Sequence, residues 1–270
     1  MRLTNIDKFN KNGLFKLKNQ DWLDKQRVAG RIAAECLIQL QDYVAGKTFH
    51  SMATLSDVID KYIVHEGGTA TFKNYKGFPA AVCISINKQL VHGIPDDTVL
   101  DDGDLVSFDL GVTYKGAIAD TALTCIMGEP KPEHARLVTV TEECLMKGID
   151  AIKVGNHLGC IGHAIARHAK AMGYGLITQY GGHGICMTAD GEGIPHAPPF
   201  VSNKSDVNEG IRIQPGLVIA IEPMLTMGAT KTRTLDDGWT VVCDDLSAHF
   251  EHSIYVHEDH VEVVTDRNNV

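Results

Sequence analysis

Two aspartates, Asp109 and Asp120, stand where ionised carboxylates are expensive. Residues 105–110 are apolar and β-compatible and follow the Asp102-Gly103 turn dipeptide, so they read as a buried strand. Asp109 lies near its end, and Asp120 lies in the strand that follows, over 116–124. Burying an ionised carboxylate without a partner is costly. Tyr114-Lys115-Gly116 offers a hairpin turn between the two strands, and the loop length decides the geometry. A two-residue loop at Tyr114-Lys115 sets the aspartates directly opposite one another. A two-residue loop at Lys115-Gly116 shifts the pairing but keeps both on one face, whereas a three-residue loop separates them onto opposite faces. Two carboxylates held close in a dry place need cations.

The stretch has an echo. Gly103 precedes Asp109 by six positions, and Gly216-Leu217-Val218-Ile219-Ala220-Ile221-Glu222 repeats the order of glycine, apolar run and carboxylate. A second acid follows in each case, Asp120 after Asp109 and Glu251 after Glu222. Such a pair, one member in each half, implies two related halves facing one another. Gly181-Gly182-His183-Gly184 adds an imidazole in a run too rich in glycine for helix, where the backbone is brought close to something. Pro223 restricts Glu222 to extended backbone, as at a strand end. Asp109, Asp120, His183, Glu222 and Glu251 are therefore candidate metal ligands. Carboxylates with one imidazole suit divalent Mn, Fe, Co or Zn. Two such ions balance four carboxylates, and two-metal hydrolases hold them about 3.5–4 Å apart around an activated hydroxide.

Several runs resemble methionine aminopeptidase of type I. They are Tyr75-Lys76-Gly77-Phe78-Pro79 through Asn87, Leu90-Val91-His92-Gly93-Ile94-Pro95-Asp96, Phe108-Asp109, Ala119-Asp120-Thr121, Gly182-His183-Gly184-Ile185, Ile221-Glu222-Pro223-Met224 and Phe250-Glu251-His252. They occur in the family's order from about residue 26 to 264. The resemblance implies an α+β pita-bread fold, with two pseudo-symmetric halves and a curved antiparallel sheet flanked by helices. It implies a metalloaminopeptidase that removes the initiator methionine from nascent polypeptides by means of a hydroxide bridging two metal ions. In that scheme Asp109 holds one ion, His183 and Glu222 the other, and Asp120 and Glu251 bridge both. Glu222 also exchanges protons with the bridging water, and His92 contacts the scissile nitrogen or the substrate amine. The methionine side chain enters a pocket near Phe72, Tyr75, Phe78, Cys83 and Trp239, whose aromatic and sulfur lining suits a thioether. By analogy one monovalent cation sits on backbone carbonyls near Asn87, Gln89 and Ser247. The substrate is the N-terminal peptide of a nascent chain, transient contact with the ribosome is expected, and the chain is expected to be a cytoplasmic monomer. No zinc-finger extension precedes Gln26, as in bacterial forms.

One stretch departs from the family pattern. The family's second catalytic histidine follows the metal histidine by about seven residues, and here that position is Asp190. The His-x-x-Pro pattern returns at His196-Ala197-Pro198-Pro199, so His196 is expected to bind substrate and donate to it, with a short insertion over 187–194. Two competing readings use the same residues. One is an Xaa-Pro peptidase, against which the block from Tyr75 to Asn87 weighs. The other is a binding protein on this fold that has lost its metals, against which the complete ligand set weighs.

The elements that must position these groups follow from pattern. Apolar spacing predicts helices over 21–44, 51–65, 134–151 and 158–172. Strands are expected over 80–86, from 89 to 92, through both acid-bearing segments, and over 217–222, 239–243 and 248–257, with a long loop over 186–200. Residues 1–20 read as an arm and 21–270 as one catalytic domain, its halves about 21–129 and 130–270. The chain of 270 residues carries a net charge of −9 with no basic face, which argues against nucleic acid as a direct partner. No apolar run approaches a membrane span. Seven dispersed cysteines without C-x-x-C spacing read as reduced thiols.

Overall fold

The computed structural model describes residues 17–46, 51–187 and 193–270. Most of the expected arm lies outside these, but residue 18 is held: its N–H donates to Gly216 O at 2.7 Å, and the Tyr255 hydroxyl donates to its carbonyl at 3.0 Å. Helix α1 (Gln20–Gly46) buries Leu23, Ile32, Leu37 and Leu40, among others, on one long face. Helix α2 (Met52–His65) starts under the Ser51 hydroxyl, which accepts the Thr54 N–H at 3.3 Å. A short strand β1 (Thr69–Ala70) and a 3₁₀ turn at Tyr75–Gly77 lead to β2 (Cys83–Ile86) and β3 (Gln89–Val91).

The acid-bearing strands are β4 (Leu105–Tyr114) and β5 (Ala117–Ile126). Their register pairs Asp109 with Ala122 and Gly111 with Asp120, the result of a two-residue loop at Lys115-Gly116. Both loop residues have positive φ, +48° and +84°, the conformation whose twist suits a tight hairpin. The aspartates therefore share a face as diagonal neighbours. Helix α1 covers the other face of this hairpin, in one continuous core with α2.

The second half opens with α3 (Pro132–Asp150) and α4 (Gly159–Met172), the latter stopped by Gly173 at φ +82°. Strands β6 (Gly175–Leu176), β7 (Gly182–Met187), β8 (Gly193–Val201), β9 (Val218–Ile221), β10 (Met224–Thr226), β11 (Thr232–Thr234), β12 (Val241–Cys243), β13 (Ser247–His249), β14 (His252–Val256) and β15 (Val261–Val263) follow. All pairings are antiparallel. The largest sheet runs β15-β14-β9-β7-β8, while β10 lies between β13 and β6.

Two segments differ from the sequence reading. The long loop expected over 186–200 is largely strand. Three prolines are tolerated because β8 is an edge strand that, among the described residues, pairs only with β7, and register shifts beside Gly184 absorb the mismatch. The single strand expected over 248–257 is broken at Phe250-Glu251, so that β13 pairs with β10 and β14 with β9. The break lets Glu251 cross to the first half, where its N–H donates to Ala122 O at 2.9 Å. Thr121 Oγ1 donates to Glu251 O, and Ser253 Oγ bonds the Asp120 backbone on both sides, at 2.8 Å in each case. This seam fixes Asp120 beside Glu251.

The glycines around His183 are dictated by close approach. A Cβ on Gly182 would lie 2.2 Å from Ala220 O, a backbone atom of β9. Gly182→Ala should therefore force β7 off β9 and destabilise the fold by about 1–3 kcal/mol, the cost of overpacking, measured by urea unfolding. Unchanged stability would show that the two strands do not pack this closely.

Candidate metal centre and active site

Asp109 and Asp120 project from the hairpin, His183 stands near the start of β7, Glu222 directly follows β9, and Glu251 occupies the break before β14. These five converge. His183 Nε2 lies 3.6 Å from Glu222 Oε1, 3.8 Å from Asp120 Oδ2 and 3.8 Å from Glu251 Oε1. Ligand atoms of Asp109, Asp120 and Glu251 lie within 4.8 Å of one another, and so do those of His183, Glu222 and Glu251. Asp109 Oδ1, both Asp120 oxygens and Glu251 Oε1 are buried with no hydrogen-bond partner among the described residues. Buried carboxylate oxygens without donors are costly unless a cation meets them.

The electrostatics agree. Burial pushes the Asp109 and Glu251 carboxyls up, each raised further by Asp120, and pushes Asp120 up to about 6. Glu222 differs. Burial would raise it too, but His249, His183 and His196 together outweigh that and hold it below its ordinary value. The donor set of four carboxylates and an imidazole, unsatisfied and mutually repelling, fits divalent metal ions of the hard-to-borderline class.

The other expected site residues surround this cluster. The His92 φ of +60° is a conformation that costs a non-glycine residue about 1–3 kcal/mol and concentrates at functional sites. Its ring makes edge contacts with Tyr180 and Trp239, and burial lowers its pKa. His196 stands on β8 with its ring centroid 4.4 Å from that of His183, stacked on Tyr75 at 5.5 Å and on Phe72 at 6.1 Å. The residue is exposed overall, yet desolvation at the ring, then His183, pushes its pKa down to about 3, which favours the neutral imidazole. Asp190 lies outside the described residues.

A cavity of about 250 Å³ lies over the acids and opens into a second of about 200 Å³. The second is lined by Phe72, Tyr75, Phe78, Cys83 and Trp239, the residues expected of the pocket, and by Lys76 at its rim. Phe78 packs edge-on against Trp239 at 5.2 Å, and Cys83 pairs in register with Asp109. The carbonyls of Asn87 and Gln89, expected near a monovalent cation, accept the Ser247 hydroxyl at 3.1 and 3.3 Å.

Three groups were missed. His249 is buried, 3.5 Å from Glu222 Oε2, with neither ring nitrogen hydrogen-bonded among the described residues. Strand alternation from Glu251 back to His249 was the available signal. Tyr180 and the exposed Phe200 line the mouth of the acid cavity, and neither carried a pattern.

A metallopeptidase family M24 model matches residues 24–258. The chain belongs to that family. Among family members, methionine aminopeptidase of Mycoplasma capricolum is 40% identical over 255 residues, 93% of this chain and 98% of that protein. The crystal structure of methionine aminopeptidase from Rickettsia prowazekii superposes with a TM-score of 0.86 at 33% identity, covering 94% of this chain and 100% of that one. A prolidase from Pyrococcus furiosus matches with a TM-score of 0.74 at 19% identity and with only 68% of its length, a likeness of fold alone. The chain has the pita-bread fold of these M24 proteins and is related to the methionine aminopeptidases.

The raised carboxyls give the metal-free M24 chain a distinctive pH dependence. Asp120 has a folded value of about 6, above the ordinary value of about 3.9. The folded state therefore binds protons more tightly, and stability falls as pH rises through this window. With chelator present, urea unfolding should show a loss between about pH 4 and pH 6 that Asp120→Asn reduces. A metal-free protein whose pH profile is the same with and without Asp120 would contradict the burial described above.

Proposed function

We propose that this chain is a methionine aminopeptidase that removes the initiator methionine from nascent polypeptides, using two divalent ions held by Asp109, Asp120, His183, Glu222 and Glu251. The observation that carries it is the apolar pocket of Phe72, Tyr75, Phe78, Cys83 and Trp239 opening directly onto the buried acids. Bound there, divalent ions supply Lewis acidity toward a peptide carbonyl and lower the pKa of water.

The chain's own side chains supply the rest. The pocket takes the unbranched thioether side chain, and its largely apolar lining disfavours charged first residues. Glu222, the one carboxylate of the four held below its ordinary value, is ionised and so available to take a proton from water, and as a weak base it gives that proton up readily. His196, a neutral imidazole, donates an N–H to the scissile carbonyl oxygen, and His92 meets the scissile nitrogen or the substrate amine. Asp190 lacks the donor that this step needs, since an ionised carboxylate only accepts. A monovalent cation beside Asn87, Gln89 and Ser247, a small second substrate residue, transient contact with the ribosome, a monomeric state and a cytoplasmic setting complete the proposal. Among the described residues no helix is long and apolar enough to cross a membrane.

Release of methionine from Met-Ala-Ser, lost to chelator and restored by Mn or Co, is the expected result. Faster cleavage of proline-adjacent peptides would favour the Xaa-Pro reading instead. His196→Ala should lower kcat by about 10²–10³-fold with metal content unchanged, the range for losing one oxyanion donor, while Asp190→Ala should do little. The reverse ranking would remove His196 from that role.

A further inference from the structure

A second group of metal-capable side chains lies at the far end of β14. Strands β14 and β15 are joined by residues 257–260, and this turn is closed by the His257 N–H donating to His260 O at 2.9 Å. Closure sets the two imidazoles face to face, with centroids 4.1 Å apart and planes at 7°. Glu262 on β15 pairs with Tyr255, two positions before His257, so its carboxylate rises on the same side of the hairpin. His257 Nε2 lies 2.8 Å from Glu262 Oε2. Donor atoms of His257, His260 and Glu262 all lie within 4.8 Å of one another.

We propose that His257, His260 and Glu262 form a separate site for one borderline transition ion of the Zn, Ni or Cu(II) class. Two imidazoles with one carboxylate are a donor set that such ions take from proteins, leaving further positions for water. The catalytic carboxylates are a harder set, so the two places differ in ion preference as well as position. His257 lies six positions beyond Glu251, about 20 Å of extended chain, which makes the hairpin site distinct from the acid cluster.

The surroundings suit a cation. Arg27 of α1 grips Glu262 with Nε to Oε1 at 2.7 Å and Nη2 to Oε2 at 2.8 Å, which fixes the carboxylate plane, and an ion at the site takes the place of the His257 Nε2 contact to Oε2. Asp24 sits 3.2 Å from the same guanidinium, and the turn itself adds Glu258 and Asp259, so acids outnumber Arg27 here. Asp259 Oδ1 lies 2.7 Å from His260 Nδ1, which leaves the Nε2 of that ring for an ion once the exposed ring turns out of its stack on His257, since stacked rings hold their in-plane lone pairs parallel. An ion seated here ties the β14–β15 hairpin, through Glu262 and Arg27, to the start of α1. The site is built only of side chains remote from the peptide pocket, so it stands whether or not the peptidase reading holds.

The test is metal stoichiometry on the whole chain. Metal-free wild type and His260→Ala are dialysed to equilibrium against a series of free zinc concentrations, and bound zinc is counted by elemental analysis. His260 is exposed in a turn, so its removal leaves the core untouched. Wild type should bind one more zinc per chain than the variant once both are saturated at the acid cluster, or bind that extra zinc with affinity on the order of tenfold tighter. Copper(II) added to wild type should give an electron paramagnetic resonance spectrum with coupling to two nitrogens that becomes one in His260→Ala. Peptide hydrolysis by the Mn-loaded forms should be equal. Identical zinc isotherms, with an unchanged copper spectrum, would overturn the proposal.

Discussion

Mutual repulsion among four buried carboxylates is the constraint around which this structure is arranged. Asp109 and Asp120 come from one hairpin, and Glu222 and Glu251 from the strands that meet it. Neither set would be tolerated in a dry interior without a compensating charge. What holds them together is a seam of backbone and hydroxyl hydrogen bonds, Ala122 with Glu251, Thr121 with Glu251 and Ser253 with Asp120, none of which uses the carboxylates themselves. Asp109 Oδ1, both Asp120 oxygens and Glu251 Oε1 are thus left without protein donors among the described residues while the Asp120 and Glu251 backbones are engaged. That division of labour converts folding free energy into a preformed site for cations.

The acids are not equivalent, and the difference has a structural source. Burial dominates at Asp109, Asp120 and Glu251, and at Asp120 the imidazoles of His183 and His249 offset it only in part. Glu222 stands beside three imidazoles, those of His183, His196 and His249, which overcome the same burial. One carboxylate is therefore kept ionised by its neighbours, next to others that need a cation to stay so. The apolar pocket sits on the far side of His92 and His196, so the rings that border the charged cluster also border the place where an apolar side chain would go.

Much of this arrangement was legible in residue types. Carboxylates in apolar runs, a histidine among glycines and a Gly-containing turn were enough to single out the acids, although only the backbone tells the two-residue loops that put them on one face from the three-residue loop that would part them. The strand that carries His196 was not legible, because its prolines argue against a strand unless it is known to lie at a sheet edge with a bulged partner. The break at Phe250-Glu251 was hidden because the segment stays apolar and β-compatible while it changes sheets. His249 was visible only as an alternation partner of Glu251. The pocket is scattered over residues from 72 to 239, gathered by a 3₁₀ turn with non-glycine residues at positive φ, and resemblance rather than spacing pointed to it.

The most direct measurement is of protons on the buried acids. Metal-free protein near neutral pH is titrated with Mn while the infrared carbonyl stretch of protonated carboxylic acids and the protons released to solution are followed together. Buried acids kept from ionising by desolvation and mutual repulsion should show that stretch before metal is added. It should vanish as the ion enters, with matching proton release, and Asp109→Asn should remove part of both signals. Metal binding with no protonated acid to begin with and no proton released would contradict the account.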